Sequence, residues 1–455
     1  MHLSPTTHTN QNITNVHFIM DWIKKASKKA KDIVHEQQGS SAPNVPAPGT
    51  AHGPASATGK PHASPLSDAV RVDDKFSGVR GRSFGQQVSN FPHIFRDGGG
   101  GGTVNGQHII IFADGTYTRG LPPTDLSRMV NFVSNSIGIL GSSTSATTNI
   151  ARVTDVGTPD RGPDQAIPFL TNQGETPHDT AVWPNCNIAT VVEADASKRD
   201  VYGVSFPEVI DRNAFRAQKE ALLYNTPIAI RMDENQRPVV TRPQKSLFMQ
   251  GEVTFGSFCV YSDAVGSSSA SAAAAGGSTG GSGYLYLFGR ISDTKSSKSN
   301  GLKLARVRPQ GQAWANRNNY EYWDGKQWGR RMPAMLDDGV ANVFNYSVDG
   351  FGKHYGPGSG DIWWSSAHQA YVMLFQNGAA ALDNSVYLSY STSLTGGWSK
   401  PVSVFKIDRA PDGFSYAFHA YPNMMDATGS VVPISWTLDS KAQSCRIYTG
   451  EIILS

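Results

Sequence analysis

The residues of this chain best suited to chemistry are carboxylates set beside apolar or aromatic neighbours. Asp114 follows the apolar run Ile109-Ile-Ile-Phe-Ala and precedes Gly115-Thr. A carboxylate at such a strand end can point into a cleft and activate water, although Asp-Gly is equally an ordinary hairpin turn. Glu252 stands near Phe255 and Phe258. Partial burial among aromatic rings would raise its pKa toward neutral pH, as a proton donor requires, and a salt-bridged or solvated strand-edge Glu is the alternative. Asp361, in Gly358-Ser-Gly-Asp-Ile-Trp-Trp, either faces a cleft or caps its glycine-rich turn. His419, in Tyr416-Ala-Phe-His-Ala-Tyr-Pro, either joins a site together with Tyr416 or is a hydrogen-bonded core histidine. Trp183, Trp363 and Tyr355 offer flat faces that could stack on sugars, against the common structural role of such rings in packing between sheets.

Other chemistries find little footing. Gly98 to Gly102 shares only its glycines with a phosphate loop, since no Gly-Lys-Ser/Thr occurs. His2 and His8, like His52 and His62, lie in unpatterned segments without metal-ligand context. One Gly-x-Ser-x-Gly match, Gly276 to Gly280, lies inside a low-complexity stretch rather than a strand–turn–helix. No cofactor and no metal are therefore expected. Forty Lys and Arg against 37 Asp and Glu leave a formal charge of +3. Basic residues are dispersed over the body, so no nucleic-acid partner is expected either.

The elements that must position these residues are strands. Charged residues make only 17% of the 455, while Gly reaches 46 and aromatics 10%, the composition of a loop-rich β protein. From Val70 onward, short β-branched and aromatic runs are bounded by Gly, Asn, Asp or Pro. Only Asp125 to Ile139 and Arg212 to Leu223 read as helices. Tyr284-Leu-Tyr-Leu-Phe-Gly, Leu302-Lys-Leu-Ala-Arg-Val and the Trp-containing turn after Tyr322 form one unit. Tyr371-Val-Met-Leu-Phe, Val386-Tyr-Leu-Ser-Tyr-Ser and Gly396-Gly-Trp repeat it. Such units, roughly 50 to 80 residues each, fit β-propeller blades with long loops, and about five fit in the chain. The expected fold is all-β: a single β-propeller of about five blades over residues 70–455, with 266–283 as a low-complexity loop.

The N-terminal region differs. Residues 1–15 read as disordered. Over residues 16–37, Phe18, Ile19, Trp22, Ile23, Ala26, Ala30, Ile33 and Val34 recur at helical spacing, opposite Lys24, Lys25, Lys28, Lys29 and Lys31. A basic amphipathic helix of this kind suits an anionic membrane surface or a protein contact. Residues 38–69, rich in Pro, Ala, Gly, Ser and His, read as a flexible linker. No basic-then-apolar leader opens the chain, and its three cysteines, Cys186, Cys259 and Cys445, are too scattered for a disulfide framework. Both readings predict a cytoplasmic protein, peripheral to a membrane if the helix binds one.

Several motifs in order carry a resemblance. Asp97-Gly-Gly-Gly-Gly-Gly-Thr-Val-Asn-Gly before His108-Ile-Ile-Ile-Phe-Ala-Asp-Gly-Thr, then Val182-Trp-Pro-Asn-Cys-Asn-Ile-Ala, Tyr284 to Gly289, Leu304-Ala-Arg-Val and Tyr320-Glu-Tyr-Trp-Asp-Gly are its residues. From about Gly98 to the C-terminus the chain resembles the fungal branch of a largely uncharacterised family, domain of unknown function 4185. Some bacterial members are endo-D-arabinofuranases, and the family fold resembles the propellers of furanose-cleaving glycoside hydrolases. The resemblance implies acidic residues around one end of a central funnel. Asp114 would then be the base and Glu252 the general acid, with Trp183, Asn185, Tyr355, Asp361, Tyr416 and His419 binding the sugar. Asn185 stands where related families carry an Asp; it can hydrogen-bond a sugar but brings no charge. The function implied is a glycoside-hydrolase-like propeller that binds, and through an acid/base carboxylate pair hydrolyses, a furanose-containing glycan. The alternative is a non-catalytic propeller, an intracellular platform for a ligand or protein, which Asn185 and the missing leader favour.

Overall fold

The computed structural model describes residues 63–120, 128–141, 150–194, 199–263, 283–291, 300–350, 353–380, 382–440 and 445–455. The helix expected over 16–37, most of the 38–69 linker and nearly all of the 266–283 loop lie outside the described residues. The described body is all-β, with helix confined to single turns such as Arg212–Arg216.

Its larger sheets are chiefly antiparallel and built from strands that follow one another in the chain. Gly101–Val104, Gln107–Phe112, Ser136–Gly141 and Arg152–Asp155, with Val88–Ser89 added in parallel at the edge, form the first. Ala189–Ala194, Arg199–Ser205, Ile228–Met232 and Pro238–Thr241 form the next. The third begins Cys259–Ser262, Leu285–Ile291, Gly301–Val307, and the fourth is Pro357–Ser365, Ala370–Asn377, Ser385–Ser391, Val402–Lys406. In the last, Phe414–Ala420, Val431–Asp439 and Arg446–Ile453 are completed by the N-terminal strand Arg80–Gln86, with Arg80 opposite Ile453. A smaller sheet, Thr180–Trp183, Glu208–Asp211, Leu222–Asn225 and Phe248–Met249, lies outside this series.

The first strands of these sheets are stitched to one another in a circuit. The Ile188 N–H donates to the Gly101 carbonyl at 3.0 Å. The Asn187 amide both donates to the Val260 carbonyl and accepts from its N–H, each at 2.8 Å. The Ile362 N–H reaches Cys259 Sγ at 3.3 Å, and the Ala420 N–H reaches the Asp361 carboxylate at 2.8 Å. The Tyr421 hydroxyl closes the circuit on the Gly99 carbonyl at 3.1 Å. Alternating side chains then bury on both faces of each sheet, so each pair of neighbouring sheets shares an apolar cluster. Val104, Ile111, Ile188 and Ile230 fill one such gap, and Trp363, Leu374, Phe418 and Trp436 another. This is a propeller-like arrangement.

The run Gly98 to Gly102 explains itself at the tightest part of the circuit. A Cβ on Gly99 would lie 1.5 Å from the Ile111 carbonyl oxygen, and one on Gly100 2.1 Å from that of Cys186. Only glycine allows backbones to approach so closely.

Two expectations are corrected. The helix expected over Asp125 to Ile139 is, in its described part, the strands Met129–Val133 and Ser136–Gly141. The β-branched residues Val130, Val133, Ile137 and Ile139 prefer the pleated form, and cross-strand pairing decides the choice. Of the helix expected over Arg212 to Leu223, only Arg212–Arg216 forms, with Asp211 capping it by accepting from the Asn213 and Ala214 N–H groups. Strand Leu222–Asn225 follows. Ahead of residue 70, the Ser64 and Ser67 N–H groups donate to the Ser83 and Gly81 carbonyls, each at 2.8 Å.

Candidate functional site

A cavity of about 370 Å³ opens at the end of the circuit where the first strands begin. Asp97, Asp114, Asn185, Arg290, Gln376 and His419 are among its polar lining, and Trp183, Phe215 and Phe414 supply aromatic walls.

Asp97 and Asp114 are brought together by strand register. Gly101 faces Ile110 and Gly102 faces Ile109, and the same register continued to the strand ends sets Asp97 opposite Asp114. The Asp97 N–H donates to the Asp114 carbonyl at 3.0 Å. The two carboxyls then meet different surroundings. Asp114 is 8% exposed, and both its oxygens accept from Arg212, at 3.0 and 3.3 Å. Arg212 is itself fixed by donating from Nε to the Thr180 carbonyl at 3.0 Å. Burial pushes the Asp97 carboxyl up to about 7; a hydrogen bond from the Tyr416 hydroxyl opposes the rise and the Asp114 charge adds to it. One carboxyl thus holds a proton near neutral pH beside another committed to an ion pair.

Arg212→Met should destabilise the protein by about 3–5 kcal/mol in denaturant melts, because it strands the Asp114 charge in a buried site. Adding Asp114→Asn should recover most of that loss.

The remaining predicted residues are placed as follows. Trp183, Asn185, Tyr416 and His419 line the cavity. The Trp183 ring meets Phe215, on the short helix after Asp211, edge-on at 5.1 Å. Asn185 donates its amide to Glu208, so a carboxylate stands directly behind it, and Arg290 binds the same carboxylate at 2.8 Å. Asp361 is fully buried one layer behind the wall; its carboxylate contacts His419 Nδ1 at 3.0 Å and fixes that ring's orientation.

Glu252 and Tyr355 do not line this cavity. Glu252 precedes the first strand of the third sheet, which begins only at Cys259, and both its oxygens accept from Arg317, at 2.7 and 2.8 Å. Burial raises its pKa, but the hydrogen bonds from Arg317 and from the Met249 N–H, with the Arg317 charge, outweigh that and leave it lowered. That direction is opposite to the raised pKa a proton donor requires, and the ion pair is the alternative expected for this residue. Tyr355 sits in the Lys353–Tyr355 hairpin strand, half-buried, and Trp363 is core.

Asp97, Glu208, Arg212, Arg290 and Gln376 escape the sequence reading as site residues. Asp97 carried one signal, its position at the head of the glycine run. The others are joined to the site by partners remote in the chain. Among the described residues, no group of three or more His, Cys, Asp or Glu side chains is placed to hold a metal ion.

Comparison with solved structures gives a fold relationship. A Bacteroides ovatus protein described as a proposed hydrolase is similar over 85% of this chain and 93% of its own, with a TM-score of 0.51 and 12% identity. An endo-arabinase from Bacteroides thetaiotaomicron aligns over 79% of this chain and 94% of its own, with a TM-score of 0.39 and 10% identity. The first shares the fold; the second is too loose a match to bear on function. No family model and no curated protein matches the chain.

Proposed function

We propose that this protein is a glycoside hydrolase of propeller form, in which the circuit of first strands marks about five blades and the cavity is the funnel that takes a furanose-containing glycan. The observation that carries this reading is the unequal carboxyl pair on one cavity wall. Glycoside hydrolysis needs a carboxylic acid to protonate the leaving oxygen and a carboxylate on the other side of the reaction. The donor of such a pair needs a raised pKa. Asp97, raised by burial, is the proton donor; Asp114, oriented by Arg212, is the ionised partner. His419, Asn185, Tyr416 and Trp183 position the sugar. Asn185 brings no charge, and the Glu208 carboxylate behind it holds its amide in place.

Opposed residues of an antiparallel pair hold their Cβ atoms roughly 4.5–5.5 Å apart, which suits the close carboxyl spacing, about 5–5.5 Å, of retaining enzymes. The test is glycan release from a panel of arabinofuranose- and galactofuranose-containing oligosaccharides, with product configuration followed by NMR. Wild type and Glu252→Gln should release product at similar rates with retained configuration, and Asp114→Asn should not. Sugar binding without release by wild type would instead favour a non-catalytic platform, and release by Asp114→Asn at the wild-type rate would remove Asp114 from the mechanism.

A further inference from the structure

We propose that Glu208 is a specificity-determining residue that keeps acidic sugars out of the cavity by neutralising Arg290. The inference rests on the glycan-binding reading above and names the substrate class more narrowly, as an uncharged polyol.

Arg290 is the guanidinium that lines the cavity among the described residues, and an unpaired guanidinium there would be a natural receptor for a sugar carboxylate. Its charge is already committed. One terminal nitrogen donates to Glu208 at 2.8 Å, and the other to the Gly358 carbonyl at 2.9 Å. Glu208 itself is 6% exposed and does not line the cavity, so it meets Arg290 from behind rather than competing for ligand. The second cation close to the site, Arg212, is spent on both oxygens of Asp114 and on the Thr180 carbonyl.

The amides reinforce this selection. Asn185 gives its N–H to the Glu208 carboxylate, and Gln376 gives its N–H to the Ser415 carbonyl at 2.7 Å. Both partners are acceptors only, so the amide orientations are fixed, and each side chain has its carbonyl oxygen left to offer a ligand. With the Asp114 carboxylate, these oxygens give the lining a set of acceptors. Acceptors suit sugar hydroxyls, which donate, and repel carboxylates. A furanoside with free hydroxyls fits such a wall, and its uronate does not.

The experiment is calorimetric titration with a matched pair, methyl arabinofuranoside and the same glycoside oxidised to a carboxylate at C5. Wild type should bind the neutral glycoside and bind the uronate at least roughly tenfold more weakly, the scale of one charge-assisted contact. Glu208→Gln, which preserves shape and removes the charge, should tighten uronate binding roughly tenfold, and Glu208→Gln/Arg290→Gln should abolish that gain. If Glu208→Gln does not fold, Glu208→Asp, which draws the charge back from Arg290, should show a smaller gain in the same direction. Equal wild-type affinity for the two ligands, or no gain of uronate affinity in a folded Glu208 variant, overturns the proposal and leaves the glycan reading intact. Wild type binding neither ligand, and releasing nothing from the oligosaccharide panel, removes the glycan reading and this inference together.

Discussion

Asp97→Asn should abolish glycan release while making the protein more stable at alkaline pH. Loss of a proton donor of this kind costs roughly 10²–10⁴-fold in turnover, so the variant should fall to or near background. Wild-type turnover should itself decline as pH rises through about 7, where Asp97 gives up its proton. The stability effect follows from the same burial. The folded pKa of Asp97 lies near 7, above the ordinary carboxylate value, so between those two pH values the folded state holds a proton that the unfolded chain has released. The stability this contributes is fully present below the unfolded pKa and is lost as pH rises through the folded one. Asp439, pushed up to about 6 by burial, acts in the same direction. Asparagine has no proton to lose. The variant should therefore exceed wild type by about 2 kcal/mol at pH 8 and match it near pH 4, allowing for solvent reaching the half-buried carboxyl through the cavity. Paired urea melts at the two pH values measure this. A variant whose stability relative to wild type does not rise between pH 4 and pH 8 would show that Asp97 is ionised in the folded protein.

Gly99→Ala is expected to be the most damaging alanine-for-glycine substitution among the described residues. The added carbon would stand 1.5 Å from a backbone oxygen of the neighbouring strand, in a segment held on both sides. Backbone cannot rotate out of the way as a side chain can. The cost should reach or exceed about 3 kcal/mol, the upper part of the range for overpacked cores, and it should appear as loss of soluble protein or a lowered melting temperature. Gly106→Ala is the control for glycine content alone. It lies beside the same sheet with no atom within 4 Å of the added carbon, although its φ of 82° makes alanine somewhat strained there. A Gly99→Ala protein as stable as the Gly106→Ala one would mean that the first strands are packed more loosely than the geometry shows.

The strand content of the fold was readable because its signal is local. Tyr284 to Gly289, Leu302 to Val307, Tyr371 to Phe375 and Val386 to Ser391 each carry an apolar run, aromatic in all but the second, in the strand they form. The helix expected around Met129 failed for a related reason, since its apolar spacing suits either period and pairing with distant strands decided the matter. Asp114, Trp183, Asn185, Tyr416 and His419 reach the cavity because each sits just before, within or just after a strand near one end of the circuit. Glu252 was expected in the site from the resemblance and from the burial that its neighbours Phe255 and Phe258 would give it. Gly251 and Gly256, with φ of 83° and 91°, turn the chain there, and the strand starts only after them. The pairs that give the site its electrostatics, Arg212 with Asp114 and Arg290 with Glu208, join residues far apart in sequence. No local pattern announces a partnership of that kind.

The strand Arg80–Gln86, seated beside Arg446–Ile453, gives the molecule a clasp whose halves lie at opposite ends of the described chain. Tethering such remote segments is slow in loop-closure terms, so the seam should be among the last contacts to form during refolding. Until it forms, Arg446–Ile453 presents an open edge that a strand from another copy can occupy. Refolding at high concentration would then give exchanged dimers in which each copy lends its clasp to the other. The same geometry makes a peptide spanning Arg80–Gln86 a natural complementing fragment for a body that lacks it.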